Sequence, residues 1–357
     1  MRSHNFSAGP SALPTAVLER AQTEMLDFQG TGMSVMEMSH RGPLYAAEHF
    51  DAIANLRKLL DIPDAYDVLF ATGGARTQFA LVPYNLGLPG RSGEYILTGT
   101  WSEGALNEAG KLTSARTIWS GEADGYRRIP SDEEIRVGPE PAYVHYTSNN
   151  TIYGTQFHRI PQVSGAPLVC DMSSDILSKP IDVSRFGLIY AGAQKNMGPS
   201  GVTVVIGNKE LLDRADPELP EMWSYARIAS NDSLLNTPPT FPIYLLKLVT
   251  DWLVELGGRE AMAERNRRKA ALLYDAIDGD FYRPHADSGS RSMMNVTFKI
   301  HDPSLEPAFL AACEERRIIG VRGHRSVGGL RASIYNAVPR SSVEALVELM
   351  NDFRRES

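Results

Sequence analysis

Short apolar runs alternate with amphipathic segments along roughly the first two-thirds of the chain. Each apolar run is bounded by polar or glycine-containing turns, and its length suits a strand that is buried on both faces. The predicted strands cover 68–70, 95–97, 142–145, 168–170, 188–190 and 202–206. Because helical patterns lie between several of these runs, the order predicts a parallel sheet that is covered by helices.

Two helices are predicted before the first of these strands. One begins after Pro14, with Leu26 on its inward face and Gly30 beyond its end, and the other covers 44–60, with Phe50 on its inward face.

The prolines of the segment 237–240 interrupt regular structure. Two long helical patterns follow at 244–256 and 259–277.

The pattern changes beyond Gly289. The remaining predicted elements are a strand at 295–300, a helix at 304–316, short strands around Ile318 and at 330–334, and a final helix at 341–353. This order is typical of a small α+β domain.

Composition narrows the class of protein. With 357 residues, of which 43% are hydrophobic and 22% charged, the chain is expected to form one large domain and a smaller one. The net charge of −7 argues against a basic nucleic-acid-binding face. The most apolar segment, 241–256, carries Lys247, Asp251 and Glu255, so no membrane span is expected.

The two cysteines, Cys170 and Cys313, fit neither a disulfide framework nor a zinc site. No metal is therefore expected, and the N-terminus lacks the apolar core of a signal peptide. A reducing cytoplasm is the predicted location.

Lys195 is the first candidate functional residue. It follows the predicted strand 188–190 within a run of small residues, where a ligand has room to approach. Apolar surroundings favour the neutral amine, which attacks aldehydes, so Lys195 is a candidate Schiff-base lysine. A solvated lysine in a glycine-rich turn explains the same residues.

Other candidates also follow predicted strands, where ligands bind in open α/β sheets. Asp171 ends the strand before that of Lys195 and suits a helix cap, a metal ligand or the partner of a cationic ring. Gly73 and Gly74 open a helix whose N-terminus could hold a phosphate, although a tight turn explains them equally well. Trp101 could stack on a flat ligand or simply pack. Thr151 alone reads as a turn residue.

These groups converge on one ligand. A lysine that forms an imine, a carboxylate for a ring nitrogen, an aromatic face and a phosphate cradle together describe pyridoxal 5′-phosphate. The prediction depends on the combination, because each residue has an ordinary structural explanation.

The chain resembles the phosphoserine aminotransferases, a class V, fold-type I family of pyridoxal-phosphate enzymes. The similarity covers nearly the whole chain, and the motifs that carry it are 5–10, 34–42, 70–76, 145–151, 181–185, 190–196, 236–240 and 323–337. The resemblance implies a large cofactor-binding domain at 13–255 with a mostly parallel seven-stranded sheet. It also implies a small α+β domain at 256–357 that includes the N-terminal segment 1–12.

The resemblance also implies a role for each site residue. Lys195 forms the imine, Asp171 pairs with the pyridinium, Trp101 stacks on the ring and Thr151 binds the ring hydroxyl. The residues implied for the cofactor's phosphate are Ala75, Arg76 and Gln194, with Asn236 and Thr237 from the other subunit of a homodimer. The residues implied for the substrate's anionic groups are His40, Arg41, His324, Arg325 and Arg331.

The expected reaction exchanges an amino group between L-glutamate and 3-phosphohydroxypyruvate, with the phosphorylated keto acid of pyridoxine biosynthesis as a second candidate substrate. Two departures from the family pattern are visible. Ala75 stands where many members have glycine, and Ala8 stands where some have serine. The backbone N–H of Ala75 is unaffected by its methyl group, so phosphate binding should survive.

Three other classes compete with this interpretation. A cysteine desulfurase needs a mobile cysteine, whereas Cys170 and Cys313 lie in predicted regular structure. A regulator with an aminotransferase-like domain would need an added DNA-binding segment, and the fold is expected to begin by Asn5. A dehydrogenase would need a G-x-G-x-x-G fingerprint, which Gly73–Gly74 does not supply.

Overall fold

The computed structural model describes residues 2–357. The α-helices are α1 Thr15–Thr23, α2 Pro43–Leu60, α3 Gln78–Leu86, α4 Thr100–Ala109, α5 Lys209–Leu212, α6 Tyr225–Ser230, α7 Thr240–Glu255, α8 Gly258–Ile277, α9 Glu306–Glu315 and α10 Arg340–Glu356. The strands are β1 His4–Asn5, β2 Tyr66–Thr72, β3 Ser92–Leu97, β4 Ala115–Ser120, β5 Pro141–Thr147, β6 Asn149–Asn150, β7 Thr155–Gln156, β8 Leu168–Asp171, β9 Leu188–Gly192, β10 Val202–Asn208, β11 Tyr282–Pro284, β12 Asn295–Ile300, β13 Ile318–Ile319 and β14 Leu330–Ser333.

A seven-stranded sheet forms the centre of the fold, in the order β2-β10-β9-β8-β5-β3-β4. Strand β10 runs antiparallel to both of its neighbours, and the other neighbouring pairs are parallel. The strands β5, β8 and β9 are buried along their whole length, as their apolar runs predicted. The predicted fold class, a mostly parallel sheet flanked by helices, is confirmed.

Strand β4 was not found from the apolar pattern. It lies at the edge of the sheet beside β3, and none of its residues is fully buried. An edge strand of this kind carries polar residues such as Arg116 and Thr117, which are exposed here, so it shows no continuous apolar run.

Two helical predictions placed an exposed residue on the inward face, although Val17, Ala21 and Leu56 are buried as predicted. Helix α1 ends at Thr23, and Leu26 beyond it is 84% exposed. Helix α2 buries Ala52, Leu56 and Leu60, whereas Phe50 is 45% exposed. Leu26 and Phe50 therefore contribute to an apolar surface rather than to the core.

A second apolar core lies around the C-terminal elements. Strands β11, β12 and β14 form a three-stranded antiparallel sheet, and Phe298 and Leu346 are fully buried in the core beside it. Phe6 from the N-terminal segment joins the same core, and β1 pairs in parallel with β13. Helix α8 contributes to both cores, through Met262 and Leu273, and the division at residues 255 and 256 stays a proposal.

The segment that carries Lys195 connects two antiparallel neighbours. Strand β9 ends at Gly192 and β10 begins at Val202, and these strands pair directly, with Thr203 opposite Gly192. The N–H of Ala193 donates to the carbonyl of Val202 at 3.0 Å. Residues 193–201 thus form a loop that is held at both ends by the central sheet.

Within residues 2–357, no helix combines the length and the hydropathy that crossing a bilayer requires.

Candidate active site

The predicted site residues of the large sheet lie at one edge of it. Strand β8 ends at Asp171, which pairs with Thr147 at the end of β5 and with Tyr190 on β9. Lys195 follows β9, and Trp101 lies in the first turn of α4, which follows β3. Because the parallel strands end at the same edge, residues that are distant in sequence share one crevice.

Asp171 is a buried carboxylate with one oxygen left for a ligand. The side chain is 6% exposed. Its Oδ1 accepts hydrogen bonds from the backbone N–H of Ser173 at 3.0 Å and from the Ser173 hydroxyl at 2.6 Å. Oδ2 accepts no hydrogen bond from the described part of the chain. Burial raises the pKa of Asp171, against the opposing effects of Lys195 and Ser173.

Lys195 is half-buried, and its amine faces the aromatic ring of Trp101. Its Nζ lies 5.6 Å from the centre of that ring. Burial lowers the pKa of Lys195 and the charge of Arg331 lowers it further, whereas Asp171 acts in the opposite direction. The amine therefore loses its proton more readily than that of an exposed lysine, which suits a nucleophile and a base.

The N-terminal segment holds the backbone and stem of Lys195. The Ser11 hydroxyl donates to the Lys195 carbonyl at 2.6 Å, and the Ser11 N–H donates to the Gln194 carbonyl at 3.0 Å. Gly9, at φ +142°, lies so close that an added Cβ would stand 3.4 Å from Cγ of Lys195. A side chain at position 9 would therefore be strained and crowded against the lysine.

Thr151 connects the aromatic ring with an arginine of the C-terminal sheet. The indole N–H of Trp101 donates to the Thr151 hydroxyl oxygen at 3.0 Å, which leaves the hydroxyl proton for another acceptor. The guanidinium of Arg331 donates to the Thr151 carbonyl at 3.0 Å. Thr151 thus fixes the separation between Trp101 and Arg331.

The glycine turn after β2 opens a helix, as predicted. Gly73, at φ +100°, donates its N–H to the Gly201 carbonyl at 2.9 Å. A single helical turn at Ala75–Thr77 then leads into α3, and the first N–H groups of such a turn have no partner within the helix. The Arg76 guanidinium lies 5.9 Å from the centre of the Trp101 ring, which places this turn beside the same crevice.

Gln194 occupies a crowded position after β9. A Cβ added to Gly192 would meet the side-chain oxygen of Gln194 at 2.6 Å, so the chain needs glycine there to let the amide fold back. Gln194 is half-buried and directly precedes Lys195.

Arg331 and the loop before it supply positive charge. Arg331 lies on β14, and its Nε is buried without a hydrogen-bond partner among the described residues. His324 and Arg325 lie in the loop between β13 and β14, and His324 Nδ1 is 2.8 Å from the Ser326 hydroxyl. Burial lowers the pKa of His324, and the charges of Arg331 and Arg325 add to the effect. Basic groups of this kind, one of them with a free buried N–H, suit the binding of an anion.

Four predicted site residues do not join this group in the single chain. Arg41, Asn236 and Thr237 are exposed, while His40 is buried and its Nε2 has no partner in the described chain. Among residues 2–357, no hydrogen bond or salt bridge connects any of the four to Lys195, Asp171 or Arg331. Asn236 instead lines a cavity of about 180 Å³ with Thr72 and Thr77.

The structure adds a carboxylate that the sequence analysis did not single out. Asp175 is 3% exposed and accepts hydrogen bonds from the Ser148 hydroxyl and, at 3.0 Å, from the Gln156 amide. Its charge raises the pKa of both Asp171 and Lys195. The sequence signal that could have identified Asp175 is its position four residues after Asp171, with Ser173 and Ser174 between them.

Asn196 was also missed. Its Oδ1 accepts the backbone N–H of Asn336 at 3.0 Å, and its Nδ2 donates to the carbonyls of Ser174 and Ile176 at 3.2 Å. The residue after Lys195 is thereby bound to the segment that follows Asp171 and to the segment that follows β14.

This fold and this crevice are those of a class V aminotransferase. The family model "Aminotransferase class-V" matches residues 3–346 of the chain. A phosphoserine aminotransferase of Geobacillus kaustophilus is 56% identical over 356 residues, with 99% of each chain covered. The chain belongs to the phosphoserine aminotransferase family.

Solved structures agree with that assignment. The phosphoserine aminotransferase from Bacillus circulans subsp. alkalophilus superimposes with a TM-score of 0.98 at 52% identity and covers 99% of both chains. The pyridoxal-phosphate-bound phosphoserine aminotransferase of Trichomonas vaginalis gives a TM-score of 0.93 at 38% identity, with 98% of this chain and 100% of that chain covered. The predicted family and cofactor class are confirmed.

The residues of the crevice fit pyridoxal 5′-phosphate. Oδ2 of the buried Asp171 lacks a donor, which a protonated ring nitrogen would supply. The lowered pKa of Lys195 suits reaction with an aldehyde, and the Trp101 ring lies beside the amine. No group of three or more metal-ligating side chains occurs in the described range.

We predict that the two charged neighbours of Lys195 shift its pKa in opposite directions. In the cofactor-free protein, Asp171→Asn removes the anion that raises the pKa of Lys195, so the pKa should fall further. Arg331→Gln removes a cation that lowers it, so the pKa should rise. The measurement is the pH dependence of acetylation at Lys195, followed by mass spectrometry.

Lys209 serves as the internal reference, because it is a half-exposed surface lysine away from the crevice. Its acetylation profile should be the same in all three proteins. A Lys195 pKa that moves in the same direction in both variants would contradict the electrostatic explanation.

Proposed function

We propose that this enzyme transfers the amino group of L-glutamate to 3-phosphohydroxypyruvate, giving 2-oxoglutarate and O-phospho-L-serine, in two half-reactions that share one site. The observation that carries the proposal is an amine of lowered pKa on which a buried carboxylate, Asp171, and a half-buried arginine, Arg331, act with opposite sign. The family assignment supports the substrates, and no observation favours another class V reaction.

Pyridoxal 5′-phosphate, when bound, carries the amino group and accepts the electron pair of the bond between the substrate's α-carbon and its hydrogen. Asp171 supports this chemistry because its carboxylate favours a protonated ring nitrogen. Oδ2 of Asp171 is available to the ring nitrogen because Ser173 donates its hydrogen bonds to Oδ1.

Lys195 is the proposed general base and acid. Its Nζ takes the proton from the substrate's α-carbon and, with the cofactor bound, would deliver that proton to it. Because burial and Arg331 lower the pKa of Lys195, the neutral amine is accessible at a lower pH than in an exposed lysine. The tethered loop 193–201 keeps the amine close to the Trp101 ring.

Other residues hold the cofactor. We assign ring stacking to Trp101 and the ring hydroxyl to Thr151, whose hydroxyl proton is not used in its contact with the indole. Ala75, Arg76 and Gln194 are proposed to bind the phosphate, since the N–H groups of the turn and the Arg76 charge lie beside Trp101.

The substrate's two anionic ends need separate cations. Arg331 is proposed to bind the α-carboxylate, because its Nε is buried and unpaired and its charge acts on Lys195. His324 and Arg325 are proposed to bind the distal carboxylate or phosphate, with His40 and Arg41. An arginine fork binds both groups, which lets one pocket serve both half-reactions.

A homodimer is proposed to complete the site. The segment that surrounds His40 and Arg41 exposes large apolar side chains, namely Leu26, Met33, Met36, Leu44 and Phe50. Apolar surface of this kind marks a protein interface. Asn236 and Thr237 are exposed and make no contact with Lys195 in their own chain, which supports their assignment to the partner's phosphate site.

We propose a cytoplasmic location. Both cysteines are free and buried, Cys170 in the central core and Cys313 in the C-terminal core, which suits a reducing compartment.

The first functional test replaces the proposed base. Lys195→Ala should lower turnover by roughly 10²–10⁴-fold or more, because both the base and the covalent attachment are lost. Borohydride treatment should add the mass of the cofactor to residue 195 of the unaltered protein and to no residue of the variant. Lys209→Ala is the matched control and should behave like the unaltered protein, whereas normal turnover by Lys195→Ala would refute the mechanism.

The second test concerns the distal anion. Arg325→Ala should lower kcat/KM for 3-phosphohydroxypyruvate by roughly ten- to hundredfold, the effect expected for a charge-assisted hydrogen bond. Its effect on pyruvate, which has no distal anion, should be small. Arg322→Ala removes an exposed charge at the start of the same loop and should leave both substrates unaffected. An equal loss for both substrates in Arg325→Ala would exclude a distal role.

The third test asks whether Asn236 acts in the partner's site. Homodimers of Lys195→Ala and of Asn236→Ala should both be impaired at limiting cofactor. A heterodimer of the two variants combines Lys195 of one chain with Asn236 of the other, so one complete site and its activity should return. Co-expressed variants that stay as impaired as the separate homodimers would place Asn236 in its own chain's site.

A further inference from the structure

A cavity of about 560 Å³ lies outside the crevice that contains Lys195. Its walls are the N-terminal segment around residues 2–5 and 12–16, helix α8, Trp252 of α7 and the start of α10. None of the predicted cofactor-binding or substrate-binding residues lines it. Its volume is in the range of sites that hold small metabolites.

The cavity is strongly basic, although the whole chain has a net charge of −7. Its cationic lining residues are Arg2, Arg265, Arg268, Lys269 and Arg340, accompanied by His4. None of the described lining residues is an aspartate or a glutamate. Positive charge is therefore concentrated on one concave surface, which raises the local concentration of anions.

Three of these cations have no carboxylate partner. Arg268 is paired with Glu264 at 2.7 Å and Arg340 with Glu344 at 2.8 Å. The Arg265 side chain makes no hydrogen bond or salt bridge to any residue in the range 2–357. Arg2 donates only to uncharged oxygens, at the Leu13 carbonyl and the Thr15 hydroxyl.

Lys269 is the third cation, and it forms the floor of the cavity. It is 3% exposed, and its Nζ donates to the carbonyls of Ile334, Tyr335 and Val338 at 2.9, 2.6 and 3.1 Å. Burial lowers the pKa of Lys269 to about 7, and the charge of Arg265 acts in the same direction. The three carbonyls occupy the donors of the ammonium, so Lys269 acts on the cavity through its charge.

Neutral donors complete the lining. Ser341 and Ser342 lie in the first turn of the 17-residue helix α10, where the helix dipole is positive. The Ser342 hydroxyl is 2.9 Å from Nδ1 of His4, so the N-terminal segment and α10 meet at the cavity wall. Hydroxyls beside arginine forks at a helix N-terminus are typical of phosphate recognition.

We propose that this cavity binds a polyvalent phosphate, a small metabolite that carries two or more phosphoryl groups. A single phosphoryl group is too small for a cavity of this volume, and its lining carries two arginines without a carboxylate partner, Arg2 and Arg265, with Arg268 and Arg340 beside them. The number of cations in the lining favours a polyanion over a single carboxylate. The proposal does not depend on the amino-transfer reaction.

The test is titration calorimetry of the holoenzyme with inorganic pyrophosphate at constant ionic strength. Arg265→Gln and Arg2→Gln should each weaken pyrophosphate binding by roughly tenfold or more, the effect of losing a charge-assisted contact. The matched control is Arg267→Gln. It removes the same charge from the same helix, but Arg267 does not line this cavity, so binding should be unchanged. Cofactor absorbance checks that each variant is folded.

The phosphate-binding groups of the active site could also attract pyrophosphate, so Arg325→Gln is titrated in parallel. Binding that survives Arg325→Gln and is lost in Arg265→Gln supports the proposal. Binding that is lost in Arg325→Gln and unchanged in Arg265→Gln places the anion in the active site and overturns it. Equal weakening by Arg265→Gln and Arg267→Gln, or no binding at millimolar pyrophosphate, also overturns it.

Discussion

The burial of opposite charges around Lys195 is the constraint on which the rest of the structure depends. Removing a charge from water costs several kcal/mol unless partners compensate, so Asp171, Lys195 and Arg331 must be held in a fixed arrangement. The sheet supplies Asp171 at the end of β8 and Lys195 in the loop after β9, while Arg331 comes from β14. Asp171 and Arg331 act on the pKa of the lysine with opposite sign, which keeps the amine usable both as a base and as an acid.

Buried amides connect the two apolar cores around this arrangement. The Asn149 side chain donates to Asn295 at 2.8 Å, and Asn295 donates to the Tyr335 hydroxyl at 3.1 Å. The Tyr335 hydroxyl donates to the carbonyl of Ala8 at 2.8 Å, one residue before the glycine that packs on Lys195. Since unsatisfied buried amides are costly, this chain of contacts favours one relative position of Arg331 and Thr151. The geometry of the carboxylate site proposed at Arg331 is thus linked to that of the proposed cofactor site.

The sequence analysis succeeded where local pattern and chemistry coincide. Apolar runs located the central strands, and their ends located Asp171, Lys195 and the glycine turn, because parallel strands bring their carboxyl ends to one edge. The edge strand β4 lacks the apolar run, and periodicity placed Leu26 and Phe50 inward because it cannot distinguish a core from an exposed apolar surface. Asp175 and Asn196 acquire their roles only through contacts between distant segments. The roles of His40, Arg41, Asn236 and Thr237 remain predictions because one chain contains no partner.

The loop that holds Lys195 has a consequence for the order in which the parts of the site form during synthesis of the chain. Strands β9 and β10 are neighbours in both sequence and space, so their pairing closes a short loop and needs no distant part of the chain. Arg331 lies more than a hundred residues farther on, in the last strand. During synthesis on the ribosome, Lys195 and the two strands that hold its loop therefore emerge well before the arginine proposed to bind the substrate's carboxylate. Because Asn196 also binds the backbone of Asn336, the loop reaches its final position only after the segment beyond β14 has been made.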